Sequence, residues 1–259
     1  MRVHTKTTQV VAICLRILSE WRRTRRTLIF WMVFPALMLL LFGLIYAGGT
    51  GTARSFDATV PGILIGAALF FSCLGGSTTI LIAERERHTL RRLLMSPLSP
   101  AAYFLGILLA HLVIAGAQTI IVYGIAFLFG GRFHGSLLLG GLIILLSVAS
   151  YVGMGFFFGT RLARRTEDAT GPIAAIGVPL LVLGGTFFPI SVLPNYLLSI
   201  AYLDPVLHMN EALRAVSAAG AGVSEIGLHL RVLIALALLS LLLGIRSYQK
   251  LLRQERRAT

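Results

Sequence analysis

The side chains able to do chemistry in this 259-residue chain are few and sit in separate places. Glu84, Arg85, Glu86, Arg87 and His88 open a charged block, ERERHTLRRLLMSPLSP, wedged between two apolar runs. His208 and Glu211 stand in HMNE, His111 lies inside an apolar run with Gln118 two turns on, and Asp204 precedes Pro205. One His and one Glu three positions apart lack the second histidine and third ligand of a metal site. Glu211 and Arg214 read better as a helix-surface pair near the outer interface. Ionisable residues inside a membrane usually mark ion pathways, yet His111 on its own reads as a packed, hydrogen-bonded histidine. An ion-coupled carrier is expected to bury an acidic residue, and none falls in the first five spans defined below. No GxxxxGK[ST] phosphate loop occurs, so any ATP dependence must come from a partner. The charged block remains. A charged, helix-competent loop that short can only lie at a membrane surface, where it meets a soluble protein.

The elements that position these residues follow from composition. With 56% hydrophobic and 13% charged residues and a mean hydropathy of +0.85, the chain cannot cover a soluble core with polar surface. It reads as an all-α integral membrane protein. Runs long enough to cross a hydrocarbon core of about 30 Å appear at Leu28–Ala47, Val60–Ala83, Ala101–Phe129, Leu137–Gly159, Ala169–Phe188 and Leu228–Ile245. Six spans place both termini on one side. Of the 23 Lys and Arg residues, 19 fall before span one, in the second and fourth connections, and in the tail, while Arg54, Arg132, Arg214 and Arg231 face the other way. Basic residues near span ends stay cytoplasmic, so both termini are expected there. The net charge of +13 is then a topology signal with some attraction to anionic lipid. Its spread over four juxtamembrane sites argues against nucleic acid. Cys14 and Cys73 are expected to be unpaired and without metal-ligand company, and no cleaved signal peptide is expected.

Val10, Val11, Cys14, Ile17, Leu18 and Trp21 recur at helical spacing, which predicts an interfacial amphipathic helix with Trp21 at headgroup level. A simple extension of span one is the alternative. Pro35, Pro172 and Pro179 fall within spans, as hinges or for packing. Gly62 with Gly66, and Gly155 with Gly159, form small-xxx-small faces for a packed bundle or a dimer seam. After span five, Pro189 and Pro194 precede a short apolar stretch, Tyr196–Leu203, and then Asp204-Pro205. Two proline-marked breaks around a segment too short to cross predict a re-entrant helical hairpin on the outer face, with an ordinary external loop as the alternative.

The block Glu84–Pro100, the span-one pattern FPALMLLLFGLIYAG (Phe34–Gly48) and GGTFFPISVLPNYLLSIAYLDPVLHMNEALR (Gly184–Arg214) resemble the type-2 ABC exporter permeases over nearly the whole chain. The resemblance implies a cytoplasmic connecting helix over 1–27 and a six-span unit over 28–246. Within that unit lie a coupling helix at 84–97 and an outer re-entrant hairpin at 187–205, and a basic cytoplasmic tail follows over 247–259. It implies a second permease chain, identical or not, and separate P-loop ATPase subunits that bind ATP and Mg. This chain itself would carry no cofactor, metal or catalytic site. Glu84, Arg85, Glu86, Thr89, Leu90, Leu93 and Pro97 match the family's coupling-helix pattern and are expected to enter the ATPase groove; the family often has glycine where this chain has His88. The stretch EWRRTRRTLIFWMVFPALM is closer to the drug and lipid branch than to polysaccharide exporters.

The expected function is ATP-driven export of a hydrophobic or amphipathic molecule, a drug, lipid or lipid-linked oligosaccharide, across a bacterial inner membrane. Spans two and five would line the path with Leu69, Phe70, Phe71, Leu74, Ile176 and Leu180, positions that fit core packing equally well. Phe187, Phe188, Pro189 and Pro194 would form the outer gate. An ion-coupled carrier or channel, or a non-transporting membrane anchor, is the alternative.

Overall fold

The computed structural model describes residues 6–87, 89, 98–161 and 165–257, and among them every regular element is helical. In chain order these are α1 (Lys6–Arg23), α2 (Arg25–Thr50), α3 (Thr52–Gly62), a π-helical segment (Ile63–Gly75), α4 (Gly76–Glu86), α5 (Pro100–Leu128), α6 (Leu137–Arg161) and α7 (Thr166–Leu183). A 3-10 turn (Ile190–Val192), α8 (Asn195–Ala201), α9 (Pro205–Ala219) and α10 (Gly227–Arg257) complete the chain. Five stretches are long and apolar enough to cross a membrane: Arg25–Thr50, Thr52–Glu86, Pro100–Leu128, Leu137–Arg161 and Gly227–Arg253. The apolar part of α7, Gly171–Leu183, is a shorter sixth. Span five thus stops at Leu183, short of the expected Phe188. Gly184 caps the helix, and Gly185 takes a φ of +70°, which L side chains avoid and which turns the chain.

Span two is the axis of the bundle: 83% of its apolar stretch is buried inside the chain, against 22% for the first and last spans. Its middle is π-helical, with the wider i→i+5 bonding that is rare and often found at functional sites. A helix apolar on all sides belongs in the centre of a bundle. The other spans surround it and leave Leu37, Leu41 and Leu44 of α2 and Leu238, Leu239 and Leu242 of α10 exposed.

Both small-xxx-small faces act within the chain. A Cβ on Gly155 would lie 1.9 Å from Ser77 Oγ, and one on Gly159 3.0 Å from the Thr78 carbonyl oxygen, so these two glycines let α6 close on α4. A Cβ on Gly153 would meet the Ser240 backbone and one on Gly244 the Gly153 carbonyl, which explains how α10 lies along α6. Gly62 and Gly66 receive a different element, described below.

The amphipathic helix α1 packs against its own chain rather than only on a lipid surface. Ile13, Cys14, Ile17 and Trp21 are buried, and Gly106 of α5 lies so close that a Cβ there would be 2.6 Å from Ile13. Trp21 is 6% exposed and stands edge-on to Trp31 at 5.2 Å and to His111 at 5.1 Å. It is therefore buried against the bundle, where two aromatic partners give it close edge-to-face contact.

Candidate functional site

Three places built by these elements carry the candidate residues. The first is the stem of the charged loop. Leu90, Leu93 and Pro97 lie outside the described residues, but both stems are described, and both are tied to α1. Glu84 accepts from Arg16 through one carboxylate oxygen and from the Tyr103 hydroxyl through the other. Arg87 pairs with Glu20 at 3.5 Å, and the Ser99 amide donates to Gln9 at 3.2 Å. Burial works against the Arg16 charge, and the Glu84 carboxylate outweighs it, holding the guanidinium above its ordinary range. Glu84 is only 7% exposed, so its carboxylate faces the bundle and not outward. The reason is local: Arg16, Tyr103 and the Tyr248 ring stacked on Tyr103 at 5.1 Å surround that position.

The neighbours of Glu84 divide between the bundle and the surface. Arg85 is half-buried and reaches the Gly159 carbonyl at 3.4 Å. The Thr89 hydroxyl donates to the Glu84 carbonyl at 3.1 Å. Glu86 is exposed and accepts from the Thr166 amide at 3.2 Å and hydroxyl at 2.9 Å, which joins the stem to the start of α7. The stem is thus tied by side chains to α1, α5, α6 and α7.

The second place is a cavity of about 70 Å³ between the π-helical segment, α6, α7 and the start of α9. Phe70, Leu74, Ile176 and Leu180, four of the six expected path residues, line it. Leu69 does not: it is fully buried in the core. Phe71 instead stands edge-on to Phe34 at 5.9 Å. Tyr151, Met154 and Phe158 of α6 complete the apolar wall.

The third is a larger cavity, about 430 Å³, between the ends of α2 and α3 and the turn after α7. Phe187, Phe188 and Pro189 line it, and the Tyr46 hydroxyl donates to the Phe187 carbonyl at 2.9 Å. Pro194 stands apart, exposed at the head of α8. Between the two cavities lies the turn Gly184–Thr186. A Cβ on Gly62 would be 2.4 Å from the Thr186 carbonyl oxygen and one on Gly66 2.1 Å from Thr186 Oγ1, so both glycines of span two form the seat of this turn. The Asn210 amide donates to the Gly184 carbonyl at 2.6 Å and reaches Thr186 Oγ1 at 3.4 Å. Arg214 pairs with Glu211 and donates to the carbonyls of Gly185 at 3.2 Å and Ala58 at 3.3 Å.

Thr186, Asn210 and Tyr151 were not singled out by sequence. Beyond residue 205, where the expected hairpin ends, α9 runs from Pro205 to Ala219 and is largely buried. A polar residue among apolar ones at helical spacing, Asn210 one turn beyond Val206, was the available signal. The expectation that the chain buries no acidic residue is corrected outside the five spans it was read from, at Glu84 and at the start of this helix. Asp204 is 4% exposed and caps α9, with Oδ1 accepting from the Val206 amide at 2.8 Å. Hydropathy missed it because α9 is amphipathic and too short to register as a span.

The remaining polar groups are structural ties. His111 shares a hydrogen bond with the Ile107 carbonyl at 2.8 Å. Gln118 donates to the Trp31 carbonyl at 3.0 Å and accepts from Ser72 at 2.9 Å, joining α5 to α2 and span two. His208 faces His229 at 2.9 Å while Glu211 holds Arg214, so the two groups of HMNE are engaged separately.

Comparison with known proteins shows the family. Residues 8–217 match the family described as ABC-2 type transporter. The protein named "Probable multidrug ABC transporter permease YbhR" in Escherichia coli strain K12, and its namesake in E. coli O157:H7, are each 28% identical over 136 residues. The aligned stretch is 52% of this chain and 37% of each relative, so the match spans well under half of their length. Since the family match covers most of the chain, including the loop stems, both cavities and the turn between them, this chain belongs to the ABC-2 type transporter family of membrane permeases.

Proposed function

We propose that the chain is the membrane subunit of an ATP-driven exporter in a bacterial inner membrane, with both termini cytoplasmic. A second permease chain and separate P-loop ATPase subunits, which bind ATP and Mg, complete the assembly. The cargo is a hydrophobic or amphipathic molecule, consistent with the apolar lining of the inner cavity. The observation that carries this reading is the stacking of two cavities on either side of the Gly184–Thr186 turn, with α7 running from the loop stem at Thr166 to that turn.

The route of force follows from the ties. The ATPase grips the loop at 84–97, and Glu84, held by Arg16 and Tyr103, carries its displacement into α1 and α5. Glu86, held to Thr166, carries it into α7. Tilting α7 reshapes the inner cavity beside Ile176 and Leu180 and lifts the turn from its glycine seat. ATP drives this only through a differential preference for one permease geometry.

The test is a mild-detergent pull-down of the tagged chain with mass spectrometry of its companions. Capture of a soluble P-loop ATPase that is lost on Glu86→Lys/Arg87→Glu supports the assignment. An intact complex without any ATPase overturns it and favours a carrier, channel or anchor.

A further inference from the structure

We infer that the end of span two opposite the charged loop holds the phosphate head of an amphipath, with Arg54 and Arg132 on the phosphate and the tail in the cavity beside Phe187 and Phe188. Next to that cavity of about 430 Å³ lies another of about 490 Å³, lined by Arg54, Asp57, Arg132 and His134. Ala58 of α3 lines both, so the two adjoin across one small side chain. Asp57 is the acidic residue on the second cavity, and its carboxylate is already engaged. Oδ1 accepts from the Arg132 amide at 2.8 Å and Oδ2 from His134 Nε2 at 3.3 Å, which pins the loop after α5 to α3 and places Arg132 on the same cavity as Arg54. Neither guanidinium has an ion-pair partner among the described residues, where the pairs are Arg16–Glu84, Arg87–Glu20, His134–Asp57 and Arg214–Glu211. With its one carboxylate turned to the loop, the cavity is left with two uncompensated positive charges.

Depth and shape select the class of ligand. Span two has 35 residues, roughly 50 Å at the rise of an α-helix, against about 30 Å of hydrocarbon. Its first turns, with Arg54 and Asp57, therefore stand at headgroup level, where lipid phosphates lie. A guanidinium offers phosphate two parallel N–H bonds, and two arginines on one cavity suit a head with several acceptor oxygens. The adjoining cavity is walled by Ile45, Phe187 and Phe188, and its volume lies within the roughly 300–1,000 Å³ of small-molecule sites. Ile45 is 59% exposed, so a tail longer than the cavity leaves past Ile45 on the outside of the bundle. Arg214, also on that cavity, is engaged by Glu211 and by the carbonyls of Gly185 and Ala58. A cationic head would meet two arginines and is selected against.

The place of this molecule on an export route rests on the exporter reading, but its binding does not. The experiment uses the purified chain in maltoside micelles and radiolabelled decyl phosphate. Decanol and decyltrimethylammonium serve as neutral and cationic probes of the same tail, and inorganic phosphate as the head without a tail. Arg54 and Arg132 are exposed, and Asp57 is held by the Arg132 backbone, so Arg54→Gln/Arg132→Gln leaves the pinned loop in place. Decyl phosphate affinity is expected to fall about five- to thirtyfold in that double variant, with decanol unchanged. Ala58→Trp, at an exposed position between the cavities, should weaken both decyl phosphate and decanol and leave the weaker competition by inorganic phosphate unchanged. Native binding of decyl phosphate by either variant, an equal loss of decanol in the double variant, a preference for decyltrimethylammonium, or inorganic phosphate binding as tightly as decyl phosphate overturns the site. The assay contains no ATPase, so loss of the site with ATPase capture intact overturns this inference alone. Decyl phosphate binding without ATPase capture overturns the exporter reading alone.

Discussion

Arg16 on α1 and Glu84 on α4, 68 positions apart in sequence, form an ion pair that fixes the amphipathic helix to the stem of the charged loop. Tyr103 closes the other side of the same carboxylate, so three helices converge on one side chain. Removing Glu84 strands Arg16 and the Tyr103 hydroxyl together. A broken buried pair costs about 3–5 kcal/mol, and solvent reaching Arg16, 36% exposed, reduces this to about 1–3 kcal/mol. Glu84→Gln is expected to lower the melting temperature of the detergent-solubilised chain. In a cycle with Arg16→Gln the two losses should be less than additive, since either one breaks the same pair.

The burial of Glu84 changes which substitution reports docking. Reversing its charge would damage the fold and remove a partner indirectly. Glu86 is exposed, and its bonds to Thr166 lie at the surface. Glu86→Lys is expected to leave the melting temperature at the native value while weakening ATPase capture in the pull-down. A melting temperature that falls with capture would assign Glu86 to the fold instead.

The glycine seat makes a graded prediction. At Gly62 a methyl group meets a backbone oxygen, at Gly66 a side chain that can turn, and at Gly75 nothing within 4 Å. Overpacking costs about 1–3 kcal/mol, and Ala in place of an unneeded helical Gly gains about 0.5–1 kcal/mol. The expected order of stability by thermal melt is Gly75→Ala above native, then Gly66→Ala, then Gly62→Ala. Thr186→Gly should restore part of the loss in Gly66→Ala and little in Gly62→Ala, because only the first contact is with the side chain.

What could be read in the sequence divides along physical lines. The spans were legible because hydrocarbon thickness sets their length, and the loop stem because charge between two such spans has nowhere else to go. Phe70, Leu74, Ile176 and Leu180 could be placed near one another by helix face. The inward turn of Glu84 could not be read, since its partners Arg16 and Tyr103 come from distant elements and leave no periodicity. Asp204 and Asn210 were hidden for a different reason. Their helix, Pro205–Ala219, has a mixed composition that suits a surface loop, and only the packing of Val206 and Asn210 against Gly184 reveals it as part of the bundle. Trp21 was legible as part of an apolar helix face, but its ring partners Trp31 and His111 come from other helices and leave no local signal.

Asn210 and Arg214 both hold by side chain the turn that separates the two cavities, and Asn210 makes the shorter bond. It is fully buried, and its loss leaves the Gly184 carbonyl without its 2.6 Å donor, at a cost of about 1–3 kcal/mol. If the turn is an outer gate, that cost is paid by the closed state and the gate opens more often. Cys14 and Cys73 are 5% and 0% exposed, so a cysteine introduced as Thr186→Cys can be read against a low background. In the native Asn210 background a membrane-impermeant maleimide added from outside is expected to label it slowly. With Asn210→Leu, similar in size and unable to donate, labelling should accelerate by about tenfold, the kinetic equivalent of about 1.4 kcal/mol. Equal rates in both backgrounds would mean that the glycine seat and Arg214 hold the turn without it, and that Asn210 serves packing rather than gating.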